Sequence, residues 1–458
     1  MLIENQLAAE QDSPLVIRPR ASLVPASLAK RIFDAMMIKK RSILGSVAIL
    51  ALAKVVFGIP YGFNNATSSS NKIDRESGAA ASQGPSRSIF CSSNPQEDMT
   101  TIELIKSFGY PAEEHYVKTE DGYVLALHRI PGKKGSAPIL LHHALLESSF
   151  VWIINGKEKG LAFNLADHGY DVWMANSRGN TYSKHHENLS KSDSEFWDFS
   201  WHEMGIYDVP AEIDYISVLT KDRLLYIGHS MGTTQFFVMA SQKPETAAKV
   251  KAMFALAPVA YTHHIKGSFG ILGSMLTNIE EFLNIDGRRE FLPQSPWLHF
   301  GGSCVCNKPI LRTICENLIM STIGFNAQQF NASMLPLILS HTPAGTSLKT
   351  LMHYAQGISS KDFRMYDYGK EKNLAKYNDE KPPAYDISKI QVPTAFFWGK
   401  NDFLAIPEDV KRLYDQLPNK IASVEVDHPR FNHLDFLWGR DAPKLVFSRL
   451  FPLIAKYR

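Results

Sequence analysis

The sequence predicts an α/β fold: a mostly parallel central sheet with helices on both faces, interrupted by a long helical insertion. Three observations carry that expectation. Short apolar runs alternate with helical patterns from about residue 115 to 260. Between about 261 and 386 the alternation breaks down into apolar, helical sequence interrupted by Pro and Gly. The strand-like pattern resumes at residues 394–398.

The elements follow in order. Residues 115–130 hold two extended runs joined by Asp121-Gly122, a hairpin signal. Residues 139–142 form a short apolar strand that ends in a loop. A helix over 160–168 leads to a strand at 172–174. Residues 212–219 are helical in pattern. A buried strand at 224–227 runs straight into Gly228, and further strands fall at 252–256 and 394–398.

Ahead of this core, residues 1–35 show no clear periodicity. Lys39-Lys40-Arg41 then precedes an apolar run at 43–53 that ends Ala51-Leu52-Ala53, the pattern of a secretory signal. The run is short for a spanning helix, which needs about 20 residues. After Lys54 the apolar pattern resumes at 55–59, so a membrane anchor within 1–60 is the alternative. An internal start at Met36 or Met37 would restore an ordinary signal peptide. Residues 61–90, rich in Ser, Asn, Gly and Ala, read as a flexible linker. The folded core is expected over 91–260 and 387–458, with the insertion at 261–386.

The formal net charge is +3, and the first 53 residues hold seven Lys/Arg against four Asp/Glu. The remainder is therefore near neutral, which argues against a nucleic-acid partner. Four cysteines occur: Cys91, Cys304, Cys306 and Cys315. No nearby His or Cys pair completes a metal site. A local disulfide in an oxidising compartment is the better reading, and spacing alone leaves the pairing open.

The strongest chemical signal is Gly228-His229-Ser230-Met231-Gly232, a G-x-S-x-G motif between the strand at 224–227 and a helical stretch at 233–240. The tight turn requires Gly228 and Gly232 and lifts Ser230 above the sheet. The following helix N-terminus favours negative charge there. A serine hydroxyl needs a base, and the base needs an orienting acid. In the α/β-hydrolase fold these follow in the order Ser, Asp or Glu, His. Asp402 comes just after the strand at 394–398, and His433 lies in Phe431-Asn432-His433-Leu434-Asp435. Asp435 is a rival acid but is too close to His433 to sit on a separate strand end. His202, His229 and His428 lack the order and loop position of a base. A tetrahedral intermediate needs two backbone N–H donors. Met231 supplies one, and Leu145, in His142-His143-Ala144-Leu145-Leu146, supplies the other. His142 and His143 are a poor metal pair, because adjacent strand residues face opposite sides. No metal or cofactor is called for.

From about Cys91 onward the chain resembles the acid lipase family, which contains gastric and lysosomal acid lipases and many insect relatives. The matching segments are GYPAEEHYVKTEDGYVLALHRIPG, YDVWMANSRGNTYS, MGIYDVPAEIDYI, GHSMG, LSHTPAGTS and FNHLDFLW. The resemblance implies hydrolysis of triacylglycerols or steryl esters at a lipid–water interface. It makes the insertion a helical cap. The N-terminal basic flank and apolar run predict a secreted or lysosomal lumenal protein, with single-pass anchoring as the alternative. The resemblance assigns Ser230 as nucleophile, Asp402 as acid, His433 as base, and Leu145 and Met231 as oxyanion donors. It also pairs Cys306 with Cys315, leaving Cys91 and Cys304 free or joined to each other. Three positions depart from the family. Met231 replaces the usual Gln, where only the backbone N–H is needed. His143-Ala144-Leu145 replaces His-Gly-Leu. If that glycine has φ > 0, alanine costs about 1 kcal/mol. His142 also stands where Gln is usual. An inactive lipid-binding protein and an esterase for other acyl esters are the rival functions. Asn65, Asn188 and Asn331 are candidate glycosylation sites.

Overall fold

The computed structural model describes residues 94–276 and 289–458. The expected signal or anchor, the linker, Asn65 and Cys91 lie outside the described residues. In chain order the strands are β1 (Glu113–Lys118), β2 (Tyr123–Ile130), β3 (Pro138–His142), β4 (Asp171–Met174), β5 (His185–His186), β6 (Leu224–His229), β7 (Val250–Leu256), β8 (Glu290–Phe291), β9 (Thr346–Ser347), β10 (Thr394–Trp398) and β11 (Lys420–Glu425). A nine-stranded sheet runs β1-β2-β4-β3-β6-β7-β10-β11, with β5 added to β2. β8 and β9 pair separately.

β1 and β2 form the expected antiparallel hairpin across Asp121-Gly122. Gly122 sits at φ +94°, where a side chain would be strained. From β4 to β11 every neighbouring pair is parallel. β3, β4 and β6 are buried along their whole length. Strands covered on both faces have no solvent side, so they read as continuous apolar runs. Helices Leu161–Asp167, Val209–Thr220, Met231–Gln242 and Pro407–Gln416 pack against this sheet.

Strand order reverses at β3, which has β4 on one side and β6 on the other. Such a reversal opens a crevice beyond the carboxyl ends of β3 and β6, where ligands bind in open α/β sheets. Between β7 and β10 the described chain is largely helical, including Gly267–Leu276, Pro309–Ile323, Leu335–His341 and Leu348–Ser360. Cys306 and Cys315 form a disulfide at the start of Pro309–Ile323. It closes a short loop, worth about 2–3 kcal/mol by chain entropy. Cys304 is also disulfide-bonded. Among the described residues no helix is long and apolar enough to cross a membrane.

Candidate active site

β6 delivers Ser230 to the crevice, and sterics explain the flanking glycines. A Cβ on Gly228 would stand 2.8 Å from the Gly232 carbonyl carbon, and one on Gly232 would stand 2.1 Å from the His142 carbonyl oxygen. No side chain fits either gap. The turn holds Ser230 at φ 51°, ψ −114°, a strain of about 1–3 kcal/mol for a residue with a side chain. Met231 opens the helix Met231–Gln242. Its N–H therefore has no intrahelical acceptor, and the helix end favours negative charge beside Ser230.

His433 Nε2 lies 2.7 Å from Ser230 Oγ. On the other side of the ring, Nδ1 lies 2.9 and 2.8 Å from the two carboxylate oxygens of Asp402. The carboxylate holds the Nδ1 proton, which leaves the Nε2 lone pair to accept the serine O–H. All three side chains are buried. Asp402 Oδ1 also accepts the N–H groups of Leu404 and Ala405, each at 2.8 Å, which fixes the carboxylate after β10. The Ile323 carbonyl, the last of Pro309–Ile323, accepts N–H from both Phe403 and His433, at 3.3 and 3.4 Å. The insertion thus stitches the acid loop to the base loop. His229 Nε2–H donates to the His433 carbonyl at 2.8 Å, fixing the base from below.

The loop after β3 is a four-residue turn. Glu147 N–H donates to Ala144 O at 3.2 Å, with Leu145 and Leu146 between them. Leu146 takes φ 63°, and Leu145 has negative φ, the combination of a type II turn. The left-handed residue is therefore Leu146, not Ala144. The alanine carries no left-handed penalty, whereas Leu146 carries about 1–2 kcal/mol. The N–H of the second residue of such a turn points outward, and among the described residues Leu145 N–H meets no protein acceptor. Ser177 N–H donates to His143 Nε2 at 3.0 Å, so Nδ1 carries the ring proton and donates to Ala144 O at 2.7 Å. Burial pushes the His143 imidazole down to about 4, which keeps this arrangement neutral.

Residues 101–156 match the family profile described as a partial α/β-hydrolase lipase region, and residues 137–271 match that of the α/β hydrolase fold. The chain is 40% identical over 374 residues to the lysosomal acid lipase/cholesteryl ester hydrolase of Homo sapiens, a match covering 80% of this chain and 93% of that one. It is 40% identical over 372 residues to the gastric triacylglycerol lipase of Homo sapiens, covering 79% and 92%. It is also 40% identical over 373 residues to Lipase 1 of Drosophila melanogaster, covering 79% and 82%. The chain belongs to the acid lipase family. It is an ester hydrolase of the lipase class on the α/β-hydrolase fold.

In this acid lipase the rivals Asp435, His202 and His428 have other partners. Asp435 accepts from Asn326 Nδ2 at 2.6 Å and from Asn432 N–H at 2.8 Å. Burial pushes its carboxyl up to about 7, against the pull of those two bonds. His202 pairs with Tyr385 Oη at 2.6 Å, and His428 Nδ1 accepts Arg430 N–H at 3.3 Å. His142 is buried, with Nε2 3.2 Å from Glu212 Oε2. Burial holds the imidazole down to about 4 and the Glu212 carboxyl well up, so the two meet as neutral groups. Arg178, also buried, is ion-paired to Asp208 and Asp121 and anchors the segment whose Ser177 seats His143. Among the described residues no cluster of His, Cys, Asp and Glu could hold a metal.

Sequence reasoning missed Glu147 and weighed His229 only as a rival base, not as a support for His433. Only their positions, flanking the oxyanion turn and the nucleophile, could have flagged them. Asn188 is exposed, and Asn331 is half-buried, where its Oδ1 accepts from Ser333 Oγ at 2.9 Å. A cavity of about 470 Å³ lies away from the triad, lined by residues such as Trp201, Thr262, His353 and Arg364.

Proposed function

We propose that this chain hydrolyses neutral lipid esters, triacylglycerols or steryl esters, through an acyl-enzyme on Ser230. One observation carries the reading: the unbroken contact from Ser230 Oγ through His433 to Asp402, at 2.7 to 2.9 Å. Ser230 attacks the ester carbonyl while His433 Nε2 takes its proton. The carbonyl oxygen becomes an oxyanion, received by the N–H groups of Leu145 and Met231. His433 then protonates the leaving alcohol. Water, activated by the same ring, releases the acid. Asp402 holds the ring in one tautomer and stabilises its charged form.

The substrate class draws support from two of the relatives, a cholesteryl ester hydrolase and a triacylglycerol lipase. Residues 261–386 serve as the cap over a core of 91–260 and 387–458. The apolar helices Pro309–Ile323 and Leu335–His341 supply surface for acyl chains. A secreted or lysosomal lumenal location fits the relatives and the disulfides. Anchoring by residues 1–60 is the finer alternative.

The test is Ser230→Ala against triolein and cholesteryl oleate, with an active-site phosphonate as a label. The variant should lose roughly 10⁴-fold or more in kcat while keeping its Tm, because the triad acts as a unit. Wild type should carry one phosphonate, on Ser230. A Ser230→Ala variant as active as wild type would sink the assignment. Wild type that binds these lipids but neither cleaves them nor takes the label would make it a lipid carrier.

A further inference from the structure

Glu147 closes the turn after β3 with its side chain as well as its backbone. Its Oε2 accepts Ala144 N–H at 3.1 Å, while its own N–H donates to Ala144 O. The side chain is buried, and Oε1 meets no hydrogen-bond donor among the described residues. The basic group facing it is His229, whose Nδ1 stands 3.8 Å from Oε2 and has no hydrogen bond of its own. The other nitrogen of that ring holds the His433 carbonyl. One carboxylate therefore touches the oxyanion turn and faces the ring that supports the base.

The turn needs such a fastener. Leu146 is held in the left-handed region, which leucine rarely adopts. The backbone bond from Ala344 N–H to Leu146 O, at 2.7 Å, restrains one end of the turn. Among the described residues only the Glu147 carboxylate accepts Ala144 N–H, in the peptide unit immediately before the one that carries Leu145 N–H. If Ala144 N–H is released, the unit that carries Leu145 N–H stays tethered only through Ala144 O, by Glu147 N–H and His143 Nδ1–H, and the donor can tilt about that tether.

We propose that Glu147 is a positioning residue of the oxyanion hole: its carboxylate holds Ala144 N–H and thereby aims Leu145 N–H at the oxyanion. This rests on the reading of Leu145 as an oxyanion donor. The role belongs to the acceptor oxygen and not to the charge, since a negative charge beside a developing oxyanion opposes it. A neutral acceptor of the same length should serve. Gln at this position keeps an oxygen for Ala144 N–H without the charge.

The experiment compares Glu147→Ala and Glu147→Gln with wild type on a water-soluble short-chain p-nitrophenyl ester. Rates are counted per site titrated by a phosphonate, so that unfolded protein does not enter. Glu147→Ala should lower kcat about 10- to 100-fold with KM within twofold, the loss expected of a displaced donor and below that of a deleted one. Glu147→Gln should restore kcat to within about threefold of wild type. Three results overturn the proposal: Ala at full kcat per site, Gln as impaired as Ala, or a loss confined to KM. A wild type that neither hydrolyses the ester nor takes the label defeats the ester-hydrolase reading instead, and the two failures are distinct.

Discussion

Two loops bring carboxylates to the same end of the sheet, and they use them in opposite ways. The loop after β10 carries Asp402, with both oxygens within hydrogen-bond distance of His433 and two backbone N–H groups on Oδ1. The loop at 431–435 carries Asp435, which meets only amide donors, from Asn326 and Asn432. Both side chains are buried. Asp435, with no basic partner among the described residues, is pushed up to about 7 by that burial. Burial alone does not make a catalytic acid; the group that faces the carboxylate does. Asp402 orients a ring, whereas Asp435 buckles the loop that carries the ring.

The largest break between the loops should come from Asp402→Asn. Asparagine keeps the shape but can no longer hold the Nδ1 proton from two oxygens, so the ring is free to adopt the wrong tautomer. We expect kcat to fall roughly 10³- to 10⁴-fold with the fold intact, by analogy with the same change in a serine protease triad. Stopped-flow acylation with a soluble ester checks it. A loss under tenfold would mean that the two carboxylates are interchangeable.

Asn432→Ala should do less to kcat and more to stability. Its Oδ1 accepts N–H from Leu434 and Asp435, and its Nδ2 donates to the Gly324 carbonyl at 2.8 Å. Removing it leaves two buried backbone groups and one partly buried one without their partner, at about 1–3 kcal/mol for each buried group before relaxation. The expected result is a Tm lower by several degrees and a kcat per titrated site lower by about tenfold, because His433 loses its frame. Calorimetry beside active-site titration separates the two effects. An unchanged Tm would show that Asn432 does not hold the base loop.

The same contrast sets what could be read from sequence. The β strands of the parallel core were legible because burial on both faces makes them apolar throughout, as in β3 and β6. β11 was not, because none of its residues is fully buried and Lys420, Ser423 and Glu425 break any apolar run. Ser230 was legible because sterics at Gly228 and Gly232 leave a fixed spacing, and Asp402 and His433 because the fold orders them along the chain. Glu147 makes one side-chain contact within its own turn and His229 one to a neighbouring loop, and neither leaves a periodic or spaced signature. The geometry of the oxyanion loop was likewise hidden. The glycine question fell on Ala144, while the left-handed residue is Leu146. A turn's φ values follow from its hydrogen bonds, and those include the contact from Ala344, about 200 positions away.

The smallest effect on rate is expected from Asp435→Asn, and its value lies in the pH dependence of stability. The folded carboxyl keeps its proton up to about pH 7, whereas the unfolded one gives it up near 3.8. Between those limits the native state holds one proton more than the unfolded state. Stability therefore falls as pH rises, by up to about 1.4 kcal/mol per unit. This contribution is fully present below about pH 4 and is lost as pH rises through about 7. Asparagine does not titrate, and its oxygen can still accept from Asn326 and Asn432. The difference in Tm, variant minus wild type, should therefore grow between pH 4.5 and 7.5 in favour of the variant, with kcat within about tenfold throughout. His142 and His143, each held down to about 4, act with the opposite sign, since stability is lost as they are forced to charge in acid. The raised Glu212 acts in the same direction as Asp435. All three are common to both proteins and cancel in the difference. A Tm difference that stays flat with pH would mean that Asp435 is ionised in the folded protein across the whole range. Charge would then no longer distinguish the two loops, and the contrast would rest on the reach of Asp402 to His433 alone.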